Sequence, residues 1–201
     1  MSAIAEANQE VAAAPERIYR GARFRDIELV HGRLMEVIDT SPFYDESFKA
    51  YEKARLSKDF LAGLIALNPY HVMVFEQDGK PAAFMISGPE LGTLWLYWSY
   101  VFPEFRRTRL GFAGMGHFVK HWDNGRFHKI ATYTKTGNDV AAALMKRYGY
   151  QHTATLEKHI FGETYLLYER FLNKIQPGYD RGLPGGFINR LRYRMLRAFG
   201  R

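Results

Sequence analysis

Three arginines follow the most apolar segment of the sequence. The stretch PEFRRTRLG (103–111) carries Arg106, Arg107 and Arg109, and it lies between the apolar run LWLYWSYVF and the helix-like segment FAGMGHFVKHW. A strand that enters a helix through a short loop presents free backbone N–H groups at the helix N-terminus, and such termini bind phosphates. Arginine side chains add complementary charge. We therefore expect an anion site here; the alternative is an ordinary solvated basic loop.

Other residue types that could do chemistry have plainer alternatives. Tyr97 and Tyr100 lie on the apolar strand, where such rings usually belong to the core, although a tyrosine in a cleft can donate a proton. His117 and His121 share one helix face, but no HExxH motif and no third ligand accompany them, so we predict no metal site. Asn138 begins a helix, and capping explains it more simply than contact with a cofactor.

The spacing of apolar residues predicts the elements that position these side chains. Helices are expected over 27–39 with Asp26 as its cap, over 46–67 in two pieces with Ser57 capping the second, over 111–124, and from Asn138 to Gly149. Strands are expected at about 17–24, 71–77, 81–88, 92–102, 129–135, 150–160 and 164–172, with turns at Asp78-Gly79 and around Gly162. This order predicts an α/β fold in which a mixed, mostly antiparallel central sheet has helices on both faces.

Composition limits the classes of function. The 201 residues include no cysteine, which excludes disulfides, thiolate nucleophiles and cysteine metal sites. No apolar run approaches the length of a membrane span, and residues 1–17 lack the basic and apolar regions of a signal peptide, so a protein without a transmembrane segment is expected. A reducing compartment such as the cytoplasm is compatible with this composition.

The positive charge is concentrated at the C-terminal end. The net charge is +7, and residues 174–201 carry seven Lys and Arg against Asp180 alone, so +6 of that charge lies there. We divide the chain into an N-terminal arm at 1–16, a domain at 17–173 and a basic C-terminal arm at 174–201. The near-neutral domain gives no indication of a nucleic-acid partner.

The C-terminal arm contains a predicted amphipathic helix. In FINRLRYRMLRAF, Phe187, Leu191, Met195 and Phe199 recur every four residues among arginines, after the flexible segment GLPGG. A free helix of this length is marginal in water, so it is expected to dock on a protein partner or on a second copy of the chain. An anionic surface, such as a membrane or a nucleic acid, is the alternative.

The element order and three partial motifs are similar to those of the GCN5-related N-acetyltransferase family. The likeness covers about 17–172. It rests on V-x-P-E-F-R from Val101, on the loop from Arg106 through Arg107, Thr108, Arg109 and Leu110 to Gly111, and on N-x-x-A-x-x-L from Asn138 followed by Tyr148-Gly149-Tyr150. The family's loop pattern is Gln/Arg-x-x-Gly-x-Gly/Ala.

The resemblance implies an acetyl-CoA-dependent N-acetyltransferase that acts on an amine. Acetyl-CoA, as co-substrate, would bind with its pyrophosphate at residues 106–111, near Asn138, and with its pantetheine arm along Tyr100 and Val101. The acceptor pocket would come from the helices near 26–67 and from the last hairpin. A backbone amide near Tyr100 and Val101 would stabilise the oxyanion.

Three departures from the family pattern favour a second hypothesis. Arg109 replaces the middle glycine of the loop, Met145 replaces the tyrosine that often acts as general acid, and the strand 92–102 has no carboxylate to act as a base. Tyr97 and Tyr100 are the remaining weak catalytic candidates. The alternative is a non-catalytic module of this fold in a larger assembly, such as a bacteriophage virion, so the expected location is the cytoplasm or such an assembly.

Overall fold

The computed structural model describes residues 14–174 together with Leu191 and Met195. Its strands are β1 (Arg17–Gly21), β2 (Val72–Gln77), β3 (Lys80–Glu90), β4 (Thr93–Val101), β5 (Lys129–Lys135), β6 (Gln151–Ile160) and β7 (Glu163–Phe171). Its α-helices are α1 (Ile27–Thr40), α2 (Glu46–Arg55), α3 (Lys58–Leu67), α4 (Leu110–Trp122) and α5 (Asp139–Arg147). Short 3-10 turns occupy Phe24–Asp26, Pro69–His71 and Pro103–Phe105.

The strands form one seven-stranded sheet in the order β1-β2-β3-β4-β5-β7-β6. Every neighbouring pair is antiparallel except β4 and β5, which are parallel and are connected through α4. A parallel pair needs a crossover connection, and a helix on one face of the sheet supplies it here. The sequence prediction of a mixed, mostly antiparallel sheet is thereby confirmed.

Each face of the sheet carries its own apolar core. Helices α1 and α3 pack Leu34, Ile38 and Leu61 onto one face, where they meet Phe84 and Trp98. Helix α4 packs Met115, Phe118 and Trp122 onto the other face, where they meet Phe75 and Leu96. Most of these side chains are almost completely buried, so both faces are covered by helices, as the apolar spacing predicted.

Local sequence signals predicted many element ends correctly. The Ser57 hydroxyl accepts a hydrogen bond from the Phe60 amide, as the predicted cap of α3. Asp78 and Gly79 form the β2–β3 turn with φ of 51° and 73°, and the left-handed region is where Asp-Gly turns are favoured. Strand β5 begins and ends at the predicted residues.

The predicted cap of α1 was wrong in its mechanism. Asp26 precedes the helix but its carboxylate forms no capping hydrogen bond to it. The carboxylate instead accepts hydrogen bonds from Arg20 Nη1 at 2.6 Å and from the Arg23 amide at 2.6 Å, and Arg20 Nη2 also binds Glu76 Oε1 at 2.6 Å. The Asp26 carboxylate is thus occupied by Arg20 of β1 and by the amide at the start of the preceding 3-10 turn, which the spacing of the helix residues did not indicate.

The arms fall largely outside the described residues. Residues 1–13 and most of 175–201 are not described, and with them lie Phe187, Phe199 and the predicted docking of the C-terminal helix. Leu191 and Met195 are helical, and they are 46% and 52% exposed. Among the described helices, none is long and apolar enough to cross a membrane.

The Arg20–Asp26 pair makes the free energy of unfolding depend on pH. Burial raises the pKa of Asp26, but hydrogen bonds from Arg20 and the Arg23 amide outweigh burial and hold that pKa below its ordinary value. A carboxyl with a depressed folded pKa stabilises above its unfolded pKa of about 3.9 and loses that contribution as the pH falls through the folded value. The contribution should therefore be complete at neutral pH and should be lost progressively as the pH falls from about 4 through the lower folded pKa.

We predict that Asp26→Asn lowers the free energy of unfolding by about 2 kcal/mol at pH 7 and by much less at pH 2.5. Urea denaturation at the two pH values measures both quantities. Asp59→Asn is the control, because Asp59 is exposed and forms no ion pair with another described residue. A loss of equal size at both pH values would show that the charge of Asp26 is not what stabilises the fold.

Candidate functional site

Strands β4 and β5 separate after a short contact. They pair only from Thr93 to Trp95, opposite Lys129 to Ala131, whereas β5 continues alongside β7 as far as Lys135. The Thr132 hydroxyl donates to the Leu96 carbonyl at 2.9 Å at the point of divergence. Beyond it, the edge of β4 that faces β5 has no strand partner.

The divergence opens a cavity of about 760 Å³, which we call the wedge cavity. Its walls come from β4 (96–101), from β5 (132–134), from α5 and from the segment 40–44 that precedes α2. Helix α5 is positioned by Asn138, whose side chain accepts a hydrogen bond from the Ala141 amide at 3.2 Å. Asn138 thus caps its helix and also lines the wedge cavity.

A β-bulge in β4 changes which side chains face the two cores. Ile86 pairs with Trp98 but Ser87 pairs with Leu96, so Tyr97 is one extra residue in β4. Tyr97 and Trp98 consequently both pack on the α1–α3 side, whereas Leu96 belongs to the other core. The bulge lies at the mouth of the wedge, and bulges often occur next to functional sites.

The open edge of β4 presents backbone hydrogen-bonding groups. The Phe102 amide donates to the Ala82 carbonyl at 2.9 Å, and the register continues through the Tyr100–Phe84 pair. Hydrogen-bonded and outward-facing residues alternate along an antiparallel strand. Val101 therefore turns its N–H and C=O groups toward the wedge, while those of Tyr100 face β3.

The basic loop enters α4 through two residues of left-handed backbone. Arg107 has φ of 70° and Arg109, which is the N-cap of α4, has φ of 61°. This conformation costs a non-glycine residue about 1 kcal/mol or more. Two hydrogen bonds stabilise this backbone conformation. Within the loop, the Thr108 hydroxyl donates to the Phe105 carbonyl at 2.7 Å, and from β1, Arg17 Nη2 donates to the Thr108 carbonyl at 2.5 Å.

The loop has the electrostatic character of an anion site. Arg106, Arg107 and Arg109 are exposed and form no ion pair with another described residue. The amides of Leu110 and Gly111 lie in the first turn of α4, where a helix leaves N–H groups without an intrahelical partner. Arg106 also lines the wedge cavity, with its guanidinium 5.9 Å from the centre of the Tyr100 ring.

The structure places Tyr97 and Tyr100 on the face of the sheet that α1 and α3 cover. Tyr100 is 8% exposed, and its ring packs near Phe84 and Phe102. The Tyr97 hydroxyl lies over β3, since a Cβ added to Gly88 would be 2.5 Å from it. Burial raises the pKa of both hydroxyls, so both are protonated at neutral pH.

A second cavity of about 570 Å³ adjoins the wedge cavity, and we call it the aromatic cavity. It lies between α2, the sheet and the β6–β7 turn. Five residues line both cavities and so form their junction: Tyr44, Leu96, Tyr97, Trp98 and Tyr133. The two cavities therefore adjoin at the bulge of β4.

Glu52 anchors the wall of the aromatic cavity. Its carboxylate is 4% exposed, and it accepts hydrogen bonds from Trp98 Nε1 at 2.6 Å and from Arg55 Nε and Nη2 at 2.8 and 3.0 Å. Glu52 is not among the functional residues predicted from the sequence. One signal was available: Glu52 lies four residues from both Phe48 and Leu56, on the apolar stripe of α2, where a charged residue needs a partner.

Two tyrosines at the junction were also missed. Tyr44 stacks on Phe48 with ring centres 4.2 Å apart, and burial together with the charge of Glu52 raises the Tyr44 pKa to about 12. Tyr133 lies 4.9 Å from the Trp95 ring, and burial raises its pKa as well. Both hydroxyls are therefore protonated at neutral pH and can donate hydrogen bonds.

The two histidines of α4 are aromatic contacts. His117 stacks on Tyr19 at 3.6 Å and His121 stacks on Tyr70 at 3.9 Å, and burial lowers the pKa of each. Within the described part of the chain, no group of three or more His, Cys, Asp or Glu residues could hold a metal ion. These side chains instead attach α4 to β1 and to the turn before β2.

Comparisons with known proteins agree with this geometry. The model of the acetyltransferase (GNAT) family matches residues 34–150, which is more than half of the chain. No curated protein sequence matches the chain. Many solved structures resemble it, at low sequence identity, so those likenesses establish the fold.

Three of these structures illustrate the likeness. Ard1 from Thermoplasma volcanium has a TM-score of 0.61 at 20% identity, with 79% of this chain and 99% of that chain covered. PaiA N-acetyltransferase from Thermoplasma acidophilum, in complex with coenzyme A, has a TM-score of 0.63 at 15% identity, with 78% of this chain and 99% of that chain covered. The ribosomal-protein-S18-alanine N-acetyltransferase from Escherichia coli has a TM-score of 0.59 at 15% identity, with 82% of this chain and 99% of that chain covered.

We predict that Glu52→Ala lowers the free energy of unfolding by about 2–3 kcal/mol, because it leaves the buried indole N–H of Trp98 and the Arg55 guanidinium without their partner. Glu52→Gln should cost about 1 kcal/mol, since an amide oxygen can still accept one of these bonds. Denaturation followed by tryptophan fluorescence measures both. Glu46→Ala on the same helix is the control. It should lower the free energy of unfolding by only about 0.5 kcal/mol, because the Glu46 side chain is 89% exposed. Equal losses for Ala and Gln would contradict the hydrogen-bond explanation.

Proposed function

Because the chain belongs to the acetyltransferase (GNAT) family, we propose that it is an acetyl-CoA-dependent N-acetyltransferase that acts on an amine. The observation that carries this proposal is the wedge between β4 and β5. It connects a basic loop at the N-terminus of α4 with a separate aromatic cavity. Direct transfer between two bound substrates fits this arrangement, in which the two cavities adjoin at one strand.

The residues around the wedge fit acetyl-CoA. Phosphates suit the free amides of Leu110 and Gly111 and the exposed guanidiniums of Arg107 and Arg109. A substrate arm with amide groups suits the unpaired N–H and C=O groups of Val101, which would otherwise lack partners. Arg109 does not obstruct the fit at the backbone, because it already adopts the left-handed conformation that the family's glycine allows.

Acetyl-CoA supplies an acetyl group on a thioester, and the chain supplies position and charge. The amine would enter through the aromatic cavity, lose its ammonium proton to water and attack the thioester carbonyl at the junction. The C–N bond forms, the C–S bond breaks, and the departing thiolate accepts a proton and leaves as the free thiol. An N–H group on the open edge of β4 would stabilise negative charge that develops on the carbonyl oxygen, and such a preorganised donor is usually the largest single contribution to catalysis. Holding both reactants at the junction contributes further by removing the entropy cost of their encounter.

Proton transfer needs a donor other than residue 145. Met145 is buried in the core and has no proton to give. We assign the role of general acid to Tyr44, which lines both cavities and whose raised pKa keeps it protonated. Tyr97 is less suitable, because its hydroxyl lies over β3.

The alternative of a non-catalytic virion or assembly component gains no support from the comparisons. The three relatives described above bear the names of acetyltransferases or of a protein of that fold, and one of them was crystallised with coenzyme A. The loop contacts support the left-handed backbone of Arg109, and the proposed role of Tyr44 would replace the tyrosine missing at Met145. Titration with acetyl-CoA decides between the two hypotheses.

We predict that the protein binds acetyl-CoA and that Gly111→Trp weakens binding at least about tenfold, equivalent to about 1.4 kcal/mol. A side chain at this position meets Val101, because its Cβ would be 3.3 Å from Val101 Cγ2, and a larger group would displace α4 from the strand. Arg107→Ala removes one exposed charge and should weaken binding by less than about fivefold. Isothermal titration calorimetry measures both, with thermal unfolding as the check on folding. Absence of binding by the unaltered protein would refute the proposed function, and equal effects of the two changes would put the anion site elsewhere.

We predict that Tyr44→Phe lowers kcat about 100-fold with little change in the KM for acetyl-CoA, because the hydroxyl acts on the leaving thiolate and the ring packing on Phe48 is retained. Tyr97→Phe is the matched control, and its kcat should be close to that of the unaltered protein. Release of the free thiol measures the rate. A Tyr44→Phe protein with full kcat would remove Tyr44 from the mechanism.

A further inference from the structure

We propose that the aromatic cavity binds a compact primary monoamine that carries an aromatic ring, and that this class of amine is the acceptor. The choice of acceptor rests on the proposed function, but the binding itself does not. The inference depends on three properties of the cavity: the chemistry of its walls, its charge and its rim.

The walls are formed mainly by aromatic rings. Tyr44 stacks on Phe48 of α2 with ring centres 4.2 Å apart, and the ring of Tyr165 in β7 lies 6.3 Å from Phe48. The rings of Trp95 and Tyr133 lie 4.9 Å apart on β4 and β5. Surfaces of this kind stack on an aromatic ring in offset or edge-to-face geometry, and their faces also attract a cation.

The charge of the cavity favours one ammonium group. Glu52 is already neutralised by Arg55 and hydrogen-bonded to Trp98. Glu90, at the end of β3, also lines the cavity, is exposed, and forms no ion pair with another described residue. A single uncompensated carboxylate suits a monoamine, which enters as a cation at neutral pH, better than it suits a polyamine with several charges.

The rim limits the size of the ligand. Tyr51 of α2 and Phe161 of the β6–β7 turn contact each other edge-to-face, with ring centres 5.8 Å apart. Both line the cavity and are 54% and 52% exposed, so the pair lies between the cavity and solvent. This contact joins two elements across the rim, which favours a compact ligand over a polypeptide chain. The volume of about 570 Å³ is in the range of small-molecule sites.

The experiment titrates the full-length protein with four probes: 2-phenylethylamine, n-butylamine, spermidine and a tetrapeptide with a free N-terminal alanine. Trp95 and Trp98 line the cavity, so their fluorescence reports binding. We expect 2-phenylethylamine to bind roughly tenfold more tightly than n-butylamine, because only the former buries a ring. We also expect it to bind more tightly than spermidine or the tetrapeptide. Tighter binding of either of those two would overturn the proposal in favour of a polyamine or a peptide acceptor.

Variants of the rim and of the charge test the site itself. Phe161→Ala should weaken 2-phenylethylamine binding roughly 3- to 10-fold, and Glu90→Gln should weaken it roughly 2- to 5-fold. The matched controls are Phe171→Ala and Glu157→Gln, which alter exposed residues that line neither cavity and should leave binding unchanged. Tyr51→Ala repeats the rim test from the other element. Unchanged binding in Phe161→Ala and Tyr51→Ala together would overturn the assignment of the site.

The same protein titrated with acetyl-CoA separates this inference from the proposed function. Binding of acetyl-CoA without binding of 2-phenylethylamine would overturn the inference alone. Binding of 2-phenylethylamine without binding of acetyl-CoA would support the cavity assignment and overturn the proposed function. Mass-spectrometric detection of N-acetyl-2-phenylethylamine, with release of one free thiol for each amide formed, is the result expected when both hold.

Discussion

The separation of β4 from β5 is the feature on which the rest of the site depends. Each strand is held along most of its length by a different neighbour, β4 by β3 and β5 by β7, so the two halves of the sheet can turn apart after three paired residues. Unpaired backbone groups inside a protein need partners. At the divergence, the Thr132 hydroxyl satisfies the Leu96 carbonyl, and farther along the edge a ligand can do so. The missing pairs between β4 and β5 cost the fold backbone hydrogen bonds. They also leave N–H and C=O groups with which the proposed substrate could pair.

The bulge at Tyr97 lies where the wedge cavity meets the aromatic cavity. Without the extra residue, neighbouring side chains of β4 would alternate between the two cores. With it, Tyr97 and Trp98 lie on the same side, and Trp98 reaches the carboxylate of Glu52 on α2. The sheet and α2 are therefore connected by a buried polar contact at the boundary of the two cavities. A well-packed apolar pair could fill the same space, but only a directional hydrogen bond fixes the orientation of the indole ring.

Most of the fold could be predicted from the sequence, because short-range signals determine it. The Asp78-Gly79 turn, the Ser57 and Asn138 caps and the alternation in β5 all involve partners within a few residues. The position of the basic loop between a strand and a helix was also predicted correctly. The left-handed backbone of Arg109 was not predicted, because non-glycine residues rarely adopt it.

The remainder of the site could not be predicted, because it depends on long-range contacts. Trp98 and Glu52 are 46 positions apart. The predicted capping role of Asp26 was wrong because its carboxylate binds Arg20, which is itself held by Glu76 of β2. The aromatic cavity combines residues from α2, β4, β5 and the last hairpin, and no local pattern joins them. Periodicity shows which side chains are buried, but it does not show which buried side chains meet.

The contact between Arg17 and Thr108 has a consequence for how the molecule could be regulated. The loop that enters α4 is held in an unfavourable backbone conformation partly by the first strand of the sheet, which lies at the sheet edge opposite β6. Edge strands detach at lower free energy than central ones, because they are paired on one side only. Detachment of β1 would release the loop while the central sheet stayed folded. If an anion binds this loop as proposed, its binding and the attachment of β1 are thermodynamically linked, because the Arg17–Thr108 hydrogen bond joins the two.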